Sequence, residues 1–201
     1  VRAWVPAGLV TLMSIAITFC VGFSPEIVAF CQASGRSVAF GTSMVSLTML
    51  TNALGKLLLG RLHDRFGLRV CCLTGSLIAV ASFVLLLLPQ TLPVVAGAVL
   101  YGIGMATSVV TPPLLIRACY GPRDYPRVYS VVLMLFTLGS AFGPSAIGAI
   151  YDASGSFRGG VLLCMVCALG YLTIGGILAL WCRRESANSQ KKTVIGQPVQ
   201  Q

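Results

Sequence analysis

The stretch 70–116, VCCLTGSLIAVASFVLLLLPQTLPVVAGAVLYGIGMATSVVTPPLLI, runs for 47 residues without a charged side chain. A helix crossing about 30 Å of hydrocarbon needs roughly 20 residues. The run is therefore too long for one crossing and about right for two. It carries its own interruption at Pro89–Gln90–Thr91–Leu92–Pro93, where two prolines flank a short polar stretch and mark a turn. The hairpin predicted from it has spans at about 70–88 and 93–116.

Four further charge-free intervals lie outside it, from Ala3 to Pro25, Ser37 to Gly55, Val128 to Tyr151 and Gly159 to Cys182. Each fits one helix, so six spans are expected, at about 4–24, 37–58, 70–88, 93–116, 128–150 and 159–182. Two endings are open for the first: it stops near Phe23, or it kinks at Pro25 and runs on towards Gln32. Residues 1–184 thus read as a six-helix transmembrane half and 185–201 as a polar, disordered tail. The composition agrees: 14 Lys+Arg and 5 Asp+Glu, 56% hydrophobic residues and a mean hydropathy of +0.89. A soluble domain of this length would carry about 50 charges, and a disordered chain would be far less apolar. Continuous rather than alternating apolar runs argue against a β-barrel. The fold class expected is an all-α polytopic membrane protein.

The basic residues are divided unequally between the two sides. Arg2, Lys56, Arg61, Arg65, Arg69, Arg117, Arg123, Arg127, Arg183, Arg184, Lys191 and Lys192 fall on one side, and Arg36 and Arg158 on the other. Cytoplasmic loops carry the excess of Lys and Arg, so both termini are expected in the cytoplasm, with the plasma (inner) membrane the expected home. The net charge of +9 is then a matter of topology. A nucleic-acid surface would need a clustered basic patch, and nucleic acid is not an expected partner. The chain begins at Val1 directly before a span. It reads as a piece of a longer protein, cut just before a helix.

The segment Gly60–Arg61–Leu62–His63–Asp64–Arg65–Phe66–Gly67–Leu68–Arg69 resembles the G-x-L-x-D-R-x-G-R-[KR] loop signature of the major facilitator superfamily. Gly60, Leu62, Asp64, Arg65, Gly67 and Arg69 match; Leu68 departs. In physical terms Gly60 would let two helices approach closely and Gly67 would support a tight reversal. Asp64 could accept from N–H groups at a helix N-terminus and pair with Arg. A second stretch, from Gly139 to Arg158 with Gly143–Pro144 and Tyr151–Asp152–Ala153–Ser154–Gly155–Ser156, resembles the eleventh helix and following outer loop of the oxalate/formate antiporter and monocarboxylate transporter groups. Gly139 and Gly143 form a small-x-x-x-small face for helix packing, and Pro144 bends the helix. The resemblance implies helices 7–12 of a twelve-helix transporter, whose two halves are related by an axis along the membrane normal.

Thr48, Asn52 and Lys56 recur every four residues and read as one polar helix face ending in a cation. Asn52–Ala53–Leu54–Gly55–Lys56 resembles the stretch that, in those transporter groups, carries the Arg that handles the substrate carboxylate. Lys56, Asn52 and Thr48 are the expected substrate-binding residues, with Lys in place of Arg and Asn in place of an acid. The other reading is a Lys that snorkels to the interface. Pro112–Pro113 within a span marks a hinge or a kink. The expected function is secondary active transport of a small organic solute, a carboxylate anion, by alternating access; the alternative is a non-transporting or degenerate membrane scaffold. A coupling proton or counter-anion is left open as a further partner. An enzyme is not expected. The single histidine, His63, lies in the signature loop, and Asp64, Asp124 and Asp152 lie at loops, so the His or paired Asp that intramembrane catalysis needs is missing. The eight cysteines suggest neither a disulfide framework nor a metal site, and no cofactor is expected.

Overall fold

The computed structural model describes the backbone of residues 4–195, and side chains at 8, 12, 13 and 15–177. Five helices follow in order: α1 Trp4–Gly22, α2 Ile27–Ala33, α3 Val38–Leu86, α4 Thr91–Ser154 and α5 Arg158–Ile195. Among the described residues there is no strand. By length and composition α3, α4 and residues 158–177 of α5 can each cross a bilayer, and 15–22 of α1 with α2 makes a fourth crossing if that bent pair is one span.

Local chemistry explains where the helices break. Between α1 and α2 the axis bends by 55°. Pro25 has no N–H to continue the ladder, and the amides of Ser24 and Glu26 turn back onto the carbonyls of Val21 and Phe23 at 3.0 and 3.1 Å. Helix α1 stops at Gly22, and a separate short helix follows the bend and runs to Ala33. Ser37 caps α3, its hydroxyl accepting from the Phe40 amide at 3.2 Å. Leu86 ends α3, and Gln90 in extended backbone precedes α4, so Pro93 falls in the first turn, where a missing N–H costs nothing. Gly155 ends α4 in the left-handed conformation, its N–H on the Tyr151 carbonyl at 2.7 Å.

The long helices α3 and α4 are not straight. Gly67 (φ 80°, ψ 176°) and Gly121 (φ 71°, ψ 179°) have the same non-helical backbone, a region essentially reserved for glycine. At each the chain doubles back. The Cys71 thiol lies 3.5 Å from the Leu59 carbonyl, a pair that a continuous helix would hold about 18 Å apart. Likewise Pro112, Pro113, Val132 and Leu133 line one cavity of about 50 Å³. The α3 limbs are 38–66 and 68–86; those of α4 are 91–120 and 122–154. Replacing Gly67 or Gly121 with valine is expected to cost about 1–3 kcal/mol each, measured as loss of thermal stability in detergent. Wild-type stability in both variants would refute the assignment of the corners to backbone strain.

Packing between limbs uses close backbone approach. A methyl group at Gly55 would meet the Cα of Ile103 at 2.9 Å, and one at Gly104 the Cα of Ala79 at 2.9 Å; one at Gly102 would land on Thr51 and the Thr48 carbonyl. On the other side of the bundle, Gly22 and Gly143 face each other, and a methyl on Gly143 would sit 3.0 Å from the Cα of Gly22. The core at one end is aromatic: Phe23 meets Phe30, Phe83 and Tyr101 edge-on at 5.8, 6.1 and 5.9 Å. The Tyr101 hydroxyl donates to the Cys20 carbonyl at 2.6 Å, tying α4 to α1. Cys20 and Cys164 lie between α1 and α5, each thiol against a backbone carbonyl of the other helix, at 3.4 and 3.5 Å.

Several sequence expectations change. The region 117–127, read as a loop, is helix on both sides of the Gly121 corner. The stretch from 185, read as disordered, continues α5 to Ile195, since extending an existing helix is cheap and Glu, Ala, Gln and Lys are good formers; residues 196–201 lie outside the described residues. Gly60 makes no close approach: nothing lies within 4 Å of a Cβ placed there. Cys119 is disulfide-bonded, whereas the other six described cysteines are free thiols.

Candidate solute-binding face and conformational corner

The polar stripe on the first limb of α3 divides. Successive residues four apart advance about 400° around a helix, so two such steps drift by about 80°. Thr48 is fully buried and donates to the Ala98 carbonyl at 3.3 Å. Asn52 is buried beside it, and its Oδ1 has no hydrogen-bond partner among the described residues. Lys56, at the end of the drift, is exposed, among the exposed Leu54, Leu57 and Leu58. The buried face runs instead through Thr48, Thr51, Asn52, Gly55 and Leu59, at the three- and four-residue spacing of a packing stripe. The structure therefore does not bring Thr48, Asn52 and Lys56 together on one open face. Thr48 is committed to packing, Asn52 sits at the edge with an unused acceptor, and Lys56 alone is open.

Around the Gly67 corner Asp64 is exposed and has no side-chain partner among the described residues. The Arg65 guanidinium lies 5.4 Å from the Phe66 ring centre, a cation–π contact that holds it close to the corner. Arg69 is half-buried. Sequence reasoning missed Gly121, and a signal for it existed: Tyr120–Gly121–Pro122–Arg123 repeats the aromatic-Gly-x-Arg order of Phe66–Gly67–Leu68–Arg69.

Gly139 and Gly143 both face α1. A methyl on Gly139 would meet Thr18 Cγ2 at 2.6 Å, and Pro144 Cδ lies 3.2 Å from where a Cβ of Gly22 would be. At Pro112–Pro113 the backbone stays helical, and α4 breaks only at Gly121. The double proline is thus absorbed within the helix. Next to it the buried Thr107 hydroxyl lacks a hydrogen-bond partner among the described residues, and the buried hydroxyls of Thr111 and Tyr171 are close neighbours. No cluster of three or more metal-ligating side chains occurs among the described residues.

Long apolar helices, glycine-mediated packing and glycine corners define an all-α integral membrane protein. The sequence model of the Major Facilitator Superfamily matches residues 7–199, and the chain belongs to that family of membrane transporters. It is 34% identical over 143 residues to an uncharacterized MFS-type transporter of Bacillus subtilis (strain 168), YfnC, an alignment covering 71% of this chain and 33% of the relative. It is 27% identical over 94 residues to an MFS-type transporter, ltbE, of Aspergillus luteorubrus, covering 46% of this chain and 17% of the relative. The chain thus spans a third or less of the length of these curated relatives.

Proposed function

We propose that this chain forms helices 7–12 of a secondary transporter for a small organic anion of the carboxylate class, working by alternating access. In this reading the two corners make six crossings, both ends of the segment lie in the cytoplasm, and a further six-helix half completes the solute path in the plasma membrane. The kinship to the oxalate/formate and monocarboxylate groups belongs to this proposal. The observation that carries it is Lys56, a cation left exposed among leucines on an apolar limb. A charge near the end of an apolar span is costly unless it reaches the interface, a bundle interior or a water-filled path. Asn52, with its unused carbonyl oxygen, is the adjacent polar group. The corner at 60–69 is the element that would rearrange, with Gly60 and Asp64 free to meet the other half as the two halves rock. No catalytic chemistry is part of this reading.

The test is carboxylate uptake into proteoliposomes by the full-length protein. Lys56→Ala is expected to lower uptake about 10- to 100-fold, the loss of one charge-assisted contact of roughly 1.5–3 kcal/mol. Undiminished uptake would remove Lys56 from the site. Absence of uptake of any organic anion by the wild type would favour the scaffold alternative.

A further inference from the structure

By the count of charges along the sequence, Arg36 and Arg158 are the two basic residues expected on the side opposite the other twelve. They are far apart in sequence, one just after α2 and the other opening α5. The fold brings both to the rim of one cavity of about 260 Å³, at the end of the bundle away from the Gly67 and Gly121 corners. The cavity is close to the lower end of the size range of small-molecule sites, roughly 300 Å³. Its lining contains these two arginines and no Asp or Glu.

The cavity is built rather than incidental. Arg36 Nη2 donates to the Pro89 carbonyl at 2.8 Å, and its guanidinium lies 5.8 Å from the Phe40 ring centre. One donor is therefore spent on fixing the group, and the rest of its five N–H donors stay available. On the opposite wall the Ser156 hydroxyl accepts from the Arg158 amide at 3.2 Å, holding the start of α5. Phe157 is buried, stacked on Tyr151 at 4.3 Å and edge-on to Phe30 at 6.3 Å, which gives the cavity a rigid apolar floor. Two arginines line this one small space, and an anion held in it would be attracted by both charges. Planar guanidinium forks match the two oxygens of a carboxylate, and the aromatic floor suits a short hydrocarbon beside it.

We propose that this cavity binds a small carboxylate at the face opposite the basic corners, as a site separate from Lys56. Lys56 lies 18 residues into α3, about 27 Å along the helix from the cavity end. The inference rests on the anion reading of the transporter given above. A lipid phosphate offers the same oxyanion chemistry, so the experiment includes both sources.

The experiment follows modification of individual arginines by phenylglyoxal, mapped by peptide mass spectrometry, on the full-length protein in lipid-free maltoside micelles. Sodium acetate is expected to slow modification of Arg36 and Arg158 several-fold, relative to acetamide or to choline chloride at equal ionic strength, and to leave Arg61 and Arg65 unaffected. Arg36→Gln should abolish the protection of Arg158, and Arg158→Gln that of Arg36, while Lys56→Ala should preserve both. Equal rates with acetate and acetamide would overturn the proposal, as would protection that vanishes in Lys56→Ala. Protection by added phosphatidylglycerol but not by acetate would reassign the cavity to a headgroup and equally overturn it. Protection without carboxylate uptake in proteoliposomes would leave the site standing and sink the transport reading; uptake without protection would do the reverse.

Discussion

Replacing Gly102 with leucine is expected to leave no stably folded chain in detergent. Its missing Cβ is occupied by Thr51 Oγ1 and the Thr48 carbonyl, with the Asn52 nitrogen 3.0 Å away. Two of these three atoms are backbone, so no rotamer change relieves the clash. The first limb of α3 would have to move away from α4, breaking the Thr48–Ala98 hydrogen bond and opening the Gly55–Ile103 contact. Overpacking ordinarily costs about 1–3 kcal/mol; here displacement of a whole limb adds to it. Size-exclusion profiles and thermal unfolding read the outcome. Gly148→Leu is the matched control, since open space surrounds Gly148, and it should behave as wild type. A monodisperse, wild-type-stable Gly102→Leu protein would mean that the two limbs do not cross where described.

Phe23→Ala is expected to be the most costly truncation, at about 3–5 kcal/mol for a fully buried aromatic. Phe23 has no exposed surface and touches three rings from different elements: Phe30 of α2, Phe83 of α3 and Tyr101 of α4. Each edge-on pair contributes roughly 0.5–1.5 kcal/mol beyond its packing. Phe23 also stands at the 55° bend, so its loss leaves a cavity where the chain is least supported by helical hydrogen bonds. Denaturant titration in mixed micelles gives the number. Phe142→Ala, at a ring 68% exposed, should shift stability by no more than about 0.5 kcal/mol. Equal effects for the two would contradict the placement of the aromatic core.

Much of the architecture could be read before the structure, because charge exclusion from hydrocarbon acts on sequence directly. The turn at Pro89–Pro93 and the reversal at Gly67 appear where backbone chemistry requires them. Gly121 escaped notice because charges on both sides suggested an open loop, whereas the structure needs only one left-handed residue between two helical limbs. The substrate stripe was less legible. A four-residue spacing looks like one face on paper, but its drift carries Thr48 into the α4 contact and Lys56 out of it. The two arginines of the 260 Å³ cavity were visible only as a minority charge count, since nothing local links positions 36 and 158.

Because the Gly67 and Gly121 corners need only one glycine each, the helical limbs continue almost to the reversal. At about 1.5 Å per residue the limb 38–66 is roughly 43 Å long and the limb 122–154 roughly 50 Å, against about 30 Å of hydrocarbon. The surplus stands beyond the acyl chains as stiff posts. Arg61 and Arg65 are carried on one, and Arg123 and Arg127 on another. These charges are held at set heights instead of floating on slack loops. A thicker or thinner bilayer is then met by tilting of the limbs or by local deformation of the bilayer, rather than by rearranging the connections.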